Sequence, residues 1–292
     1  MLEGAKQNIK NRLTLERFSC SLTKSDLRRL CDILQERAHT AANHEVTNFQ
    51  QGQQTNEEYE KNRGLVRESF VLRITVTGHD GRELFGTIAE VFDSPNFPEQ
   101  VKSLYVNSGT LLKAVHNYIP RNSFEVYIDF SRPAVFDFTI FPSQQTPNGS
   151  RMSVEGFEAS WANGLFHELE RFFESKSAPL EILHRHSVYD IMLWFAGFPL
   201  GFWLCFKLAP LIVQIEARTS SFVSAASNVY IFLAALFLFR ALFHYVRWVF
   251  PIVEYKHDGS RTLIHRTVLS TLALGLIGSV VYDVLKAAIA QK

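Results

Sequence analysis

The sequence predicts a two-part chain. An α+β N-terminal soluble domain, an antiparallel sheet with flanking helices, is followed by an α-helical transmembrane domain of three spans. Three observations carry that reading. The C-terminal third holds three long apolar runs, Ser187–Ile215, Phe222–Val253 and Thr262–Ala290. The first contains Ile191–Phe206, which bears no charge, and a helix needs about 20 mostly apolar residues to cross a bilayer. Ahead of the runs, β-branched stretches alternate with turn residues, and a helical pattern lies near each end of that region. The domains divide at 1–180 and 181–292, with spans at about 187–213, 222–250 and 263–285.

The elements follow in order. Leu13–Cys20 reads as a short strand or extended arm. Thr23-Lys-Ser-Asp26 resembles a helix N-cap, and Leu27, Leu30, Cys31 and Leu34 recur at helical spacing, so a helix is expected from Ser25 to about Gln50. Gln50–Arg63 is rich in Gln, Asn and Glu and reads as a loop or frayed helix end. Phe70–Thr77, the turn Gly78-His-Asp-Gly81 and Glu83–Phe92 make a hairpin. Val101–Asn107, Phe124–Phe130 and Ala134–Phe141 are further strands, the last with Phe136, Phe138 and Ile140 alternating with Asp137 and Thr139. Pro142–Ser153 reads as a linker. Val154–Ser175 reads as a helix with Phe157, Trp161, Leu165, Leu169 and Phe172 on one stripe, ended by Pro179. The sheet is expected to have five or six strands.

Composition narrows the setting. The net charge of +1 averages a polar half and an apolar half. Residues 1–20 contain Lys6, Lys10, Arg12 and Arg17 but no apolar stretch, so no signal peptide is expected. Cys20, Cys31 and Cys205 have no CxxC spacing, which fits a reducing compartment. Asn148-Gly149-Ser150 matches a glycosylation sequon and is more useful as a turn signal.

Charge placement orients the spans. The segment between the first two holds one basic residue, Arg218. Arg240, Arg247, Lys256, Arg261 and Arg266 surround the second connection, and Arg171, Lys176 and Arg185 precede the first span. The positive-inside rule then places the N-terminal domain and the second connection in the cytoplasm and the C-terminus outside, in a multi-pass membrane protein. Lys286 and Lys292 weigh mildly against this. If the third run lies on the membrane surface, two spans remain.

Two constellations stand out. Arg240, His244 and Arg247 fall at i, i+4, i+7 on one face near the cytoplasmic end of the second span. With His184, Arg185 and His186 before span one, and Arg261, His265 and Arg266 before span three, they form a basic collar. Its bland reading is snorkelling anchors and positive-inside flanks. Its sharper reading is a site for an anion: a nucleotide, an oligonucleotide or a lipid headgroup. In the third run, Thr267, Thr271, Gly275, Ser279 and Asp283 recur every four residues as a small, polar stripe. The stripe suits a helix–helix seam, or a pore lining with Asp283 at the outer mouth. Gly197 and Gly201 form a GxxxG around Pro199, which is expected to kink the first span.

Catalytic motifs are absent. His167-Glu168-Leu169-Glu170 is not HExxH, and no GxGxxG, P-loop, GxSxG or Cys/His ligand spacing occurs. Asp129 and Asp137 could pair on neighbouring strands but read more simply as surface residues. The chain is therefore expected not to be an enzyme and to need no cofactor or metal.

In architecture, an α+β domain over polar-striped, Pro/Gly-interrupted spans resembles the transmembrane effectors of bacterial antiphage systems, Hailong-type effectors among them. The resemblance implies a cytoplasmic module that answers a nucleotide signal made by a partner enzyme, a ligand groove where that module meets the helices, and a membrane part that impairs the host cell. It carries over no individual residue. The expectation is a homo-oligomeric, ligand-gated pore or membrane-disrupting effector in contact with membrane lipid, a tetramer being one candidate assembly. The alternative is a membrane-anchored adaptor whose soluble domain binds a protein.

Overall fold

A computed structural model describes residues 9–110, 112–113, 118–135, 142–178, 180–216, 220–257 and 262–290, without the side chains at 215, 216, 276, 277, 280, 283–285, 287, 288 and 290. The N-terminal part is an antiparallel sheet of six strands with helices against one face. The strands are β1 (Asn11–Glu16), β3 (Arg73–Gly78), β4 (Glu83–Thr87), β5 (Val101–Asn107), β6 (Asn122–Asp129) and β7 (Arg151–Gly156), in the order β1-β7-β6-β5-β3-β4. Alternation builds the core. Ile74 and Val76, Leu104 and Val106, Phe124, Val126 and Ile128, and Met152 and Val154 all point inward and are buried. They meet Leu27, Leu30 and Leu34 of helix α1 (Lys24–Asn48) and Trp161, Leu165 and Leu169 of helix α4 (Ala159–Glu174). The opposite face keeps Thr75, Tyr105, Tyr127 and Glu125 half-exposed.

Several boundaries move, each for a local reason. The first expected strand breaks at Arg17, whose φ of 58° is left-handed, into β1 and a short β2 (Cys20–Leu22). Residues 56–63, expected as loop, open helix α2 (Asn56–Glu68). That helix buries no side chain, so it has no apolar stripe to betray it, but Thr55 and Glu58 form a capping box. A second box, Thr87 with Glu90, ends β4 and starts the short helix α3 (Ile88–Phe92), where a continuing strand was expected. The linker reading of 142–153 and the helix start at Val154 are both corrected. Met152 and Val154 belong to β7, pairing with β1 and β6, and the helix begins at Ala159, leaving Phe157 exposed. Residues 136–141 of the expected Ala134–Phe141 strand lie outside the described residues.

The C-terminal part is helical. Among the described residues, two helical segments are long and apolar enough to cross a membrane, Val188–Gln214 and Ser221–Val249. The first consists of α5 (Val188–Met192), a π turn (Leu193–Gly197) and α6 (Phe198–Glu216). The π turn precedes Pro199, a residue without an N–H whose ring crowds the preceding turn. The second is α7 (Ser221–Val249). Gly197 and Gly201 seat these helices against each other: a Cβ on Gly201 would come within 2.8 Å of the Phe232 ring, and one on Gly197 within 3.1 Å of Phe239. The GxxxG therefore serves a seam inside one chain. Elsewhere the pair is bare. Trp194, Phe195, Phe202, Phe206, Phe222 and Tyr230 are each more than 60% exposed. Apolar surface on that scale suits lipid and not water.

The third run forms helix α8 (Thr262–Ala290). The chain divides into two compact units, 1–256 and 257–292, so α8 belongs to a unit of its own.

Candidate functional site, the junction of the sheet domain and the helical pair

The junction begins where α7 stops. The apolar run continues to Val253, yet the helix ends at Val249, ahead of Pro251. The next residues form β8 (Val253–Tyr255), paired in parallel with β2. Cys20 N–H donates to the Ile252 carbonyl at 3.1 Å and Lys256 N–H to the Leu22 carbonyl at 2.8 Å. The Ser21 hydroxyl donates to the buried Glu254 carboxylate at 3.2 Å. Ile252 and Val253 lie in the same apolar cluster as the sheet core, and the Tyr255 ring meets Phe130 edge-on at 5.8 Å. The end of the second apolar helix is thus built into the sheet domain.

A second set of bonds holds the start of the first helix. Leu180 (φ 60°) and Ser187 (φ 63°) bracket a 3₁₀ turn, Glu181–His184. Two left-handed residues without glycine are strained, and surrounding contacts hold them. Ser187 N–H donates to the Ser143 carbonyl at 2.7 Å, and Thr146 N–H to the His184 carbonyl at 3.2 Å. The His184 ring is 1% exposed, with Nδ1 2.9 Å from the Thr146 hydroxyl and Nε2 2.6 Å from the Phe250 carbonyl. One neutral tautomer satisfies both: Nε2–H donates to the carbonyl and Nδ1 accepts from the hydroxyl. Burial pushes the His184 pKa below the usual histidine value and Arg247 adds to this, while the Phe250 hydrogen bond and Glu181 oppose it. Arg247 is 2% exposed; its Nε donates to the Leu183 carbonyl at 2.8 Å and its Nη2 to the Gln144 carbonyl at 3.4 Å, with the guanidinium 4.7 Å from the Phe243 ring centre.

The expected collar is thereby divided. His184 and Arg247 come together, but their donors are aimed at backbone carbonyls, and His244 beside them is 7% exposed. His184 and Arg247 join segments 143–146, 183–187 and 247–250, and with His244 buried as well the three do not present an open cationic face. Arg185 and His186 are exposed, Arg185 near Glu181 at 3.4 Å and His186 against Ser187. Arg240 is half-buried, one turn short of His244. Arg261 lies outside the described residues, and His265 and Arg266 sit in the α8 unit, half-buried.

On α8, Thr267, Thr271, Gly275 and Ser279 are exposed along one face, and the Asp283 side chain is outside the described ones. The Thr267 and Thr271 hydroxyls each donate to the carbonyl four residues back, at 2.9 Å. Hydroxyls satisfied in that way are compatible with an apolar environment. Among the described residues, no group of three or more His, Cys, Asp or Glu side chains could hold a metal ion.

Sequence reasoning missed two features of the junction. One is β8, hidden in the tail of an apolar run, although Pro251 followed by Ile-Val-Glu-Tyr was a strand signal. The other is Arg132, whose guanidinium lies 5.4 Å from the ring centre of Trp248, itself stacked on Tyr245 at 6.1 Å. No spacing links Arg132 to Trp248; only the fold does. These features define a class, an α+β domain joined by strand pairing to a membrane-type helical pair. Comparison with protein-family models, curated proteins and solved structures returns no match.

Proposed function

We propose that this chain is a membrane effector. In this reading it is a homo-oligomer of the cell inner membrane whose cytoplasmic domain receives an anionic nucleotide or oligonucleotide signal and whose helices open or disrupt the bilayer. The observation that carries the reading is the strand pair β2–β8. A passive anchor needs only an apolar helix on a tether, whereas here the end of the second apolar helix is continuous with the soluble core. A change of packing in that core therefore acts on the helix directly, without a flexible link to absorb it.

The stripe Thr267, Thr271, Gly275, Ser279 and Asp283 supports α8 as a third span and as the pore-lining helix. Of the collar, Arg185, His186 and Arg240 remain candidate anion contacts on the first unit, and His265 and Arg266 are separate candidates on the second. The test is potassium efflux and membrane depolarisation in cells expressing the full chain. Asp283→Ala and Gly275→Leu are expected to abolish both at unchanged membrane levels. Full efflux from both variants would overturn the pore. The polar sheet face, with its exposed Phe85, favours a second reading as an adaptor. That reading predicts no efflux from the parent chain and a partner still bound by the N-terminal domain cut near Pro179.

A further inference from the structure

The polar face of the sheet carries a cavity of about 260 Å³ that the junction does not use. Its floor is Thr75, at the middle of β3. Its walls are Phe85 on β4 and Tyr105 on β5, the two direct cross-strand partners of Thr75. Neighbouring strands lie about 4.8 Å apart. The backbones that carry Phe85 and Tyr105 therefore stand about 9.6 Å apart with Thr75 between them, which leaves room for one flat ring within the roughly 4.5–7 Å at which aromatic rings pair. Phe85 is 65% exposed, an aromatic ring standing in water at the edge of a ready-made slot.

The rim is held in place before anything binds. Gln35 of α1 accepts from Leu72 N–H at 2.8 Å and donates to the Phe70 carbonyl at 3.2 Å, fixing the turn after α2. On the other side, Asn107 Oδ1 accepts from Gly109 and Thr110 N–H groups at 2.8 and 3.0 Å, while its Nδ2 donates to the Tyr105 hydroxyl at 3.1 Å. The Tyr105 ring is thus locked in orientation, as a pre-formed site requires.

Charge selects the ligand. Among the described residues lining the cavity, Arg73 is the one that carries charge, and none is acidic. Its guanidinium lies 5.9 Å from the Phe85 ring centre. Glu90, the carboxylate that feels Arg73, is engaged by the Thr87 N–H and hydroxyl at 2.8 and 2.9 Å. An aromatic slot lined by a cation and no carboxylate favours anions over cations.

We propose that this cavity binds a flat aromatic ring carrying an anionic group, with the ring between Phe85 and Tyr105 and the anion on Arg73. The site belongs to the sheet domain and stands whether or not the helices form a pore. The test is saturation-transfer NMR on the detergent-solubilised full chain, titrated with indole-3-acetate and AMP, and with tryptamine and adenosine as the same rings without the anion. The anionic probes are expected to bind about tenfold more tightly than their counterparts. Arg73→Gln erases that difference, and Phe85→Ala, which removes one exposed wall, weakens the anionic probes about fivefold. Either anionic probe supports the site, and the tighter one distinguishes a nucleotide from an aromatic carboxylic acid. The proposal is overturned if no probe receives saturation, if tryptamine binds as well as indole-3-acetate, or if both variants bind like the parent.

Discussion

Replacing Arg247 by alanine tests whether this residue holds the junction or faces a ligand. The substitution removes a charged donor from the Leu183 carbonyl at 2.8 Å, a longer bond to the Gln144 carbonyl at 3.4 Å, and a cation over the Phe243 ring at 4.7 Å. A hydrogen bond to a charged group contributes about 1.5–3 kcal/mol. The 3.4 Å contact adds little, and a desolvated cation–π contact adds roughly 2 kcal/mol. Against these stands the recovered cost of burying a cation, several kcal/mol before compensation. The net expected loss is about 2 kcal/mol, which lowers the melting temperature by roughly 4–8 °C in a chain of this size. Arg247→Lys keeps the charge but loses the planar fork, so roughly half the loss remains. The assay is thermal unfolding of the purified chain in detergent, with limited proteolysis mapping cleavage near Gln144. A melting temperature unchanged within 1 °C, together with a lost response to an anionic ligand, would refute the structural role and restore Arg247 to the collar.

Three further outcomes are expected. Gly201→Leu forces a side chain into the Phe232 ring, where a Cβ alone would sit at 2.8 Å; overpacking of about 1–3 kcal/mol should lower the melting temperature in detergent, and an unchanged melt would deny the seam. His184 has a folded-state pKa below its unfolded value of about 6.5. Above pH 6.5 both states are neutral and the group contributes nothing. As pH falls below 6.5 the unfolded chain takes up the proton first, so stability declines until the folded pKa is reached; denaturant unfolding between pH 7.5 and 5 should show this decline, and His184→Gln should remove its share. Ser108 bridges Phe124 N–H at 2.9 Å and the Phe124 carbonyl at 3.4 Å from a buried position, so Ser108→Ala should cost about 1–3 kcal/mol, read by the same denaturant assay at neutral pH.

Much of the fold was legible because its signals are local. β5 and the body of α1 lie where residue alternation and helical spacing put them, since a strand with one buried face repeats every two residues and a helix about every 3.6. The elements that were misread lack such a period. α2 has no fully buried residue, so only its capping box marks it. β7 was obscured because Met152 and Val154 run into a helix whose apolar stripe extends, in sequence, across the turn at Phe157 and Glu158. At the junction, helical spacing placed Arg240, His244 and Arg247 on one face correctly. Spacing does not say whether such a face meets solvent or carbonyl oxygens 64 and 103 residues away.

The sequence by itself determined the local elements: a half-buried sheet with capped helices, and helices long and apolar enough to cross a membrane. Those properties follow from side-chain chemistry and its period along the chain. The tertiary structure decided how the parts are joined. It turned the tail of an apolar run into β8 against β2, placed Arg247 and His184 among backbone carbonyls, and brought Phe85, Thr75 and Tyr105 into one row. Each of these depends on pairing between distant segments, which the cooperative burial of a common core selects and which no local pattern encodes.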